Sequence, residues 1–324
     1  MLRVTIHSYQ LPIPTDYNGP ILLIHGGAWA IPDDALDEHR DGLRQALSRG
    51  RALLLEGAPA VDVACETVAT MEAHGAFDAG CGAVLTDQGT VELDAGLMDG
   101  STHTFGAVAG LKRFQHPIRV ADTVRTEGQG KVRLMMGEGA EAFAEHRGHQ
   151  PVDPALLIHP REQARFEALR EAAKYHTSDS FRAPRGTVGC VVRDGQGHLA
   201  AATSTGGTPY RPAGRVGDSP LPGGGFYATP YAAASATGWG EAIATVLLCG
   251  RAVWEAESAP QVDDLVHTRL HHMAEMVQSP SGEQATGGLL LITQAGEATW
   301  GFSTPRMARG FWFEGHKAEL YVEP

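Results

Sequence analysis

The stretch PRGTVGC, residues 184–190, sets a glycine before a threonine where a polar, unpatterned segment gives way to an apolar one. A threonine hydroxyl beside a glycine carbonyl can attack that carbonyl and move the acyl group from nitrogen to oxygen, after which water cleaves the ester. Gly186, lacking a Cβ, tolerates the strained backbone and close approach such an attack needs. Cleavage would leave Thr187 as a new N-terminus. Its α-amino group, with an ordinary pKa of about 7.7 to 8.0, would take the proton from its own Oγ near neutral pH, so one residue would supply nucleophile and base. Taken alone, Gly-Thr-Val-Gly is the ordinary opening of a strand, and its company must decide between the two.

The elements that must hold this step in place follow from periodicity. PILLIHGGA (20–28) is an apolar run stopped by two glycines, a buried strand entering a tight loop. Helices are predicted from about Asp33 to Ser48, with Gly50 as the stop, and over 61–75. Residues 82–100 read as two short strands around a Gln88-Gly89 turn, and 132–148 and 160–174 as helices. Residues 175–186 lose periodicity and gather Ser, Thr, Asp, Arg and Pro, the makeup of an exposed, mobile linker. A hairpin over 187–205 follows. The loop 206–225 packs seven Gly and four Pro into twenty residues, and so long a loop is more often functional than a bare connection. Residues 231–256 read as a small-residue strand, a turn at Thr237 to Gly240 and a helix, and 287–304 as another hairpin. Paired antiparallel strands alternating with paired helices imply two layers of each, not a doubly wound parallel sheet.

Composition narrows the ligand. The 324 residues are 43% hydrophobic and 20% charged, ordinary for a globular chain with a substantial core, in one large domain or two small ones. A formal net charge of −12 speaks against a nucleic-acid surface or an anionic membrane and for a small molecule or peptide. No basic-then-apolar leader and no apolar run near the ~20 residues of a membrane span is visible, so the expected location is the cytoplasm. Cys65, Cys81, Cys190 and Cys249 stand far apart and suggest neither disulfides nor a zinc site; Cys190, three residues past Thr187 in a strand, is expected to be packed, not reactive. The adjacent His271 and His272 cannot face one ligand from a helix, and the triple glycine at 223–225 lacks the Lys-Ser/Thr of a phosphate loop. No metal site is expected from side chains.

With these elements in hand, GTVGCVVRDGQGHLAAATSTGG, GRVGDSPLPGGGFYA and SATGWGE together closely resemble the plant-type (type 2) L-asparaginase and isoaspartyl peptidase family of N-terminal nucleophile (Ntn) hydrolases. The match continues through IHGGA, FDAGCGAVLTDQGTVELDAGLMDG, GAVAG, HPIRVA, GEGAEAFA and GGLLLIT, in the family's order. The resemblance implies a four-layer αββα sandwich with two largely antiparallel sheets. It implies a single Ntn-hydrolase domain over 1–324 that cleaves itself into an α chain (1–186) and a β chain (187–324), a homodimer of such αβ units, and no required cofactor. A structural Na+ held by loop carbonyls, which leaves little side-chain signature, is compatible with it.

The same resemblance assigns roles. Thr187 is the nucleophile and Thr205 the second threonine that hydrogen-bonds near it, although a strand-end hydroxyl bound to local backbone explains Thr205 equally. Arg215 would hold the substrate's α-carboxylate and Asp218 its α-ammonium, against the plainer alternative of a loop salt bridge. Thr237 and Gly238 would hold the oxyanion, unless Thr237 simply caps the following helix, and Gly240 would offer its carbonyl to the ammonium. The implied activity is hydrolysis of the side-chain amide of L-asparagine or of β-aspartyl dipeptides. The alternatives are a glycosylasparaginase-like amidase, which typically has TSTNG where this chain has TSTGG, a binding protein that never processes, and a phosphate-binding α/β protein. Three departures bear on substrate choice: Asp78 replaces the usual Asn, Trp239 stands where Thr, His or Asn is usual, and Pro209-Tyr210 alters the loop. An ionised Asp78 near the nucleophile would favour the protonated amine and oppose its base role. The Trp239 indole would narrow the pocket or pack outward, and Tyr210 would reshape the entrance.

Overall fold

The computed structural model describes residues 4–172, 186–258, 262 and 264–323. The predicted linker therefore lies outside the described residues, Gly186 excepted. Thirteen strands are described: β1 (His7–Gln10), β2 (Ile21–Trp29), β3 (Leu93–Asp99), β4 (Thr104–Leu111), β5 (Leu134–Met136), β6 (Val188–Arg193), β7 (Leu199–Thr205), β8 (Phe226–Ala228), β9 (Ala232–Gly238), β10 (Gly287–Thr293), β11 (Ala298–Phe302), β12 (Arg306–Phe313) and β13 (Glu319–Tyr321). The helices are α1 (Leu36–Leu55), α2 (Ala60–Ala73), α3 (Pro117–Glu127), α4 (Gly137–His146), α5 (Pro160–Ala172), α6 (Gly240–Val246), α7 (Leu248–Ser258) and α8 (Leu265–Met276).

Eight strands form one sheet in the order β13-β12-β2-β6-β7-β3-β4-β5, antiparallel except for β4 beside β5. Five form an antiparallel sheet in the order β1-β11-β10-β9-β8. Apolar residues of both sheets, among them Leu23, Val191, Ala201, Phe226, Leu290 and Trp300, fill the space between them. Helices α1 to α3 cover the outer face of the larger sheet through Leu43, Val63, Val68 and Ile118. Helices α7 and α8 cover the smaller sheet through Val253, Val266 and Leu270. The result is the αββα sandwich expected, in which each sheet buries both faces and its strands read as continuous apolar runs.

Local departures from the periodicity have physical causes. Helix α1 does not stop at Gly50 but runs on to Leu55; Gly50 lies inside it, where a Cβ would stand 2.5 Å from Thr67 Oγ1 on α2, so the glycine serves close helix packing. Strand β2 continues through both glycines to Trp29. Residues 82–100 contain one strand, β3, because the first half closes a turn between Thr86 and Thr90 instead of pairing. The start of 132–148 pairs as β5 before α4 begins, and the helix after β9 is broken into α6 and α7 by Leu247 at φ 51. No helix among the described residues is long and apolar enough to cross a membrane.

Candidate active site

Thr187 precedes β6 directly and continues its register with β7, in which Val188 faces Ser204, so Thr187 and Thr205 stand side by side at one end of the sandwich. Their hydroxyls are 3.1 Å apart. Thr205 Oγ1 also accepts the Gly207 N–H at 3.0 Å and lies 3.4 Å from Asp78 Oδ2. Asp78 is wholly buried; its other carboxylate oxygen accepts the Val84 N–H, its carbonyl accepts the Gly206 N–H, and burial pushes its carboxyl up to about 7.

The backbone before the nucleophile is pressed against β2. A Cβ on Gly27, at φ 103, would stand 2.4 Å from the Gly186 Cα, so neither position tolerates a side chain. The next residue, Ala28, directs its N–H at Thr237 Oγ1. Thr237 lies inside β9 and the residue capping α6 is Trp239, so the alternative of Thr237 as a helix cap does not hold. Gly238 has φ 133, and a Cβ there would meet the Gly287 Cα at 2.4 Å. Gly186, Thr187, Thr205, Thr237 and Gly238 are thereby gathered where β2, β6, β7 and β9 approach one another.

Behind Thr187 runs a buried polar chain that periodicity and motif reading did not bring out. His25 Nδ1 donates to the Thr187 carbonyl at 3.0 Å, because a carbonyl can only accept. Its Nε2 then accepts from Ser235 Oγ at 2.8 Å, and Thr203 Oγ1, 2.8 Å from both Ser235 Oγ and the Gly225 carbonyl, shares its one proton between them. Complete burial pushes the imidazole down to about 3, so the ring is neutral and this tautomer is fixed. A Cβ at Gly189 would lie 2.2 Å from Ser235 Oγ, which explains the glycine two residues after Thr187. The signals were the histidine of IHGGA and that glycine.

The chain ends on the loop that carries Arg215 and Asp218. Gly225 donates to the Asp218 carbonyl at 3.0 Å, and a Cβ on Gly240 would come within 2.8 Å of both Arg215 Nη2 and Asp218 Oδ1. The three predicted head-group residues are therefore together. Burial pushes the Asp218 carboxyl up to about 7, and its Oδ2 is buried without a hydrogen-bond partner among the described residues. Arg215 pairs through Nε and Nη2 with Glu241, both bonds 2.8 Å, not with Asp218. Glu241, in the first turn of α6, is a site residue the sequence reading passed over, as is Arg211. The latter is buried and ties the loop down through the carbonyls of Gly206, Glu92 and Arg215 and the Glu92 carboxylate.

The other predicted residues fall around this centre. Trp239 packs against the apolar layer under α6 to α8, two residues before Glu241 in the first turn of α6. Tyr210 sits at φ 60, a region bulky residues rarely enter, with its ring 5.8 Å from Phe166 of α5. Cys190 points into the α2 side of the core, where burial raises its thiol. Among the described residues no three His, Cys, Asp or Glu side chains are arranged to hold a metal ion.

Comparison with known proteins agrees with this geometry. A family model described as Asparaginase matches residues 18–322. The isoaspartyl peptidase of Salmonella typhimurium is 38% identical over 311 residues, covering 92% of this chain and 96% of that protein. The isoaspartyl peptidase/L-asparaginase of Danio rerio is 34% identical over 93% of this chain and 94% of its own length, and that of Homo sapiens 34% over 87% and 90%. A match over nearly the whole length, with the motif threonines brought together at one end of an αββα sandwich, places the chain in the asparaginase family.

Proposed function

We propose that the protein is a self-cleaving threonine hydrolase acting on β-aspartyl (isoaspartyl) dipeptides and on the side-chain amide of L-asparagine. The observation that carries this reading is the Thr187–Thr205 hydroxyl pair, 3.1 Å apart, beside a glycine pressed against β2. Self-cleavage after Gly186 yields chains of 186 and 138 residues (324 − 186), which stay associated because β6 is hydrogen-bonded between β2 and β7. The family further suggests a dimer of such units and a cytoplasmic location. A Na+ ion would draw on main-chain oxygens and act structurally.

In turnover, Asp218 holds the substrate's ammonium with help from the Gly240 carbonyl, and Arg215 holds the α-carboxylate, for which Glu241 stands in on the guanidinium fork. Thr187 Oγ attacks the β-carbonyl carbon while the free Thr187 amine takes its proton. Thr237 and Gly238 stabilise the oxyanion. The amine passes the proton to the leaving nitrogen, which departs as ammonia or as the next amino acid, and water hydrolyses the ester to aspartate. His25 holds the Thr187 carbonyl and so fixes the nucleophile's orientation. The test is product analysis with L-asparagine and an isoaspartyl dipeptide: aspartate from both supports the reading, and release from neither refutes it.

A further inference from the structure

Self-cleavage poses a problem that turnover does not. Before the cut, the Thr187 nitrogen is a peptide nitrogen and cannot act as a base, so the hydroxyl proton must go elsewhere. His25 touches Thr187 only at the carbonyl oxygen, through an N–H, and its second nitrogen is engaged by Ser235. Among the described residues, a hydrogen-bonded path from Thr187 Oγ1 runs 3.1 Å to Thr205 Oγ1 and 3.4 Å on to Asp78 Oδ2. An amide at this position would have no carboxylate to receive a proton.

We infer that Asp78, acting through Thr205, receives the Thr187 hydroxyl proton during self-cleavage. The inference rests on Thr187 being the nucleophile. Thr187 Oγ bonds to the Gly186 carbonyl carbon as its proton moves to Thr205 Oγ and the Thr205 proton moves to Asp78 Oδ2. The C–N bond breaks, and the same relay returns the proton to the departing Thr187 nitrogen. Water then cleaves the ester, leaving a Gly186 carboxylate, a free Thr187 hydroxyl and amine, and Asp78 ionised again.

The surroundings suit the task. The carboxylate is pinned, with Oδ1 on the Val84 N–H and Gly206 packed so closely that a Cβ there would be 2.4 Å away. Burial places its titration at about 7, where a base is most effective near neutral pH. The charged groups that face it are Arg211 from the loop after β7 and Arg165 from α5, which favour ionisation, and the buried Glu162 of α5, which opposes it and is itself paired with Arg165 at 3.1 Å. Asp94, a second buried acid, lies opposite Thr205 on β3.

The experiment follows newly translated full-length chain from a cell-free system, transferred to buffers from pH 5.5 to 8.5, by the appearance of the 138-residue chain in intact mass spectra. The wild-type rate is expected to rise about tenfold per pH unit below about pH 7 and level off above it, and Asp78→Asn to be at least about tenfold slower at pH 8 and flat with pH. A flat wild-type profile overturns the inference whether or not the variant folds. So does an Asp78→Asn profile that follows the wild type. A wild-type chain whole at every pH, or a Thr187→Ala chain that is cut, would instead refute the nucleophile assignment beneath it.

Discussion

The nucleophile end and the head-group clamp are both buried, yet their polar groups are satisfied differently. Around Thr187 the hydroxyls, the His25 ring and the Asp78 carboxylate bond to one another or to main chain. In the clamp, Asp218 Oδ2 and Ser219 Oγ are buried with no hydrogen-bond partner among the described residues, and the Arg215 fork is held by a half-exposed glutamate. Orphaned buried polar atoms are costly and persist where something else completes them. Under the proposed function, the first region would act on itself in self-cleavage and the second would be completed by a substrate.

That contrast breaks most decisively at Thr187: Thr187→Ala should lower hydrolysis to background and leave the chain whole. Asp218→Asn should separate the two regions, with kcat/KM falling about a hundredfold while self-cleavage proceeds. A variant that failed to cleave would show that the clamp also serves maturation. The clamp should also depend on pH in its own way. Asp218 binds an ammonium only when ionised, so KM should rise as pH falls below about 7, by up to about tenfold per unit. A KM flat from pH 5.5 to 8 would exclude Asp218 as the ammonium partner.

Stability supplies a smaller effect. A carboxyl raised from 3.8 to about 7 keeps in the folded chain a proton that the unfolded chain has released, so its contribution falls as pH rises from about 4 to about 7. In a Thr187→Ala background, Asp78→Asn should therefore raise Tm more at pH 8 than at pH 5. An equal shift at both pH values would contradict the raised titration. Smallest is Glu241→Gln, which weakens the resident partner of Arg215 and should lower KM a few-fold, about the strength of one exposed ion pair; a raised KM would make Glu241 an orienting group instead.

The same contrast governs what the sequence made legible. The β6–β7 hairpin was plain, because two apolar runs around a glycine-rich turn are a local signal; the chemistry of Thr187 was readable in its Gly-Thr step, whereas the role of Thr205 came only through the family resemblance. Arg215 and Asp218, three positions apart, were assigned through the family resemblance, since their spacing alone fits a loop salt bridge equally. His25, Ser235, Arg211 and Glu241 were not, since their roles come from partners as far as 210 residues away and no periodicity records such a pair. Strand β12 was missed although Pro305 before it and Gly315 after it are turn residues, and Gly50 misled because packing against Thr67 used it as a contact, not a stop. Thr237 likewise carried a helix-cap signal that β9 overrode by extending through it.

The central claim is that Thr187 becomes an N-terminus and then the nucleophile. Intact mass spectrometry of the purified protein under denaturing conditions, with N-terminal sequencing, tests it directly. The account predicts a 138-residue chain beginning at Thr187, absent from Thr187→Ala. A single 324-residue chain that nevertheless releases aspartate from L-asparagine would contradict it.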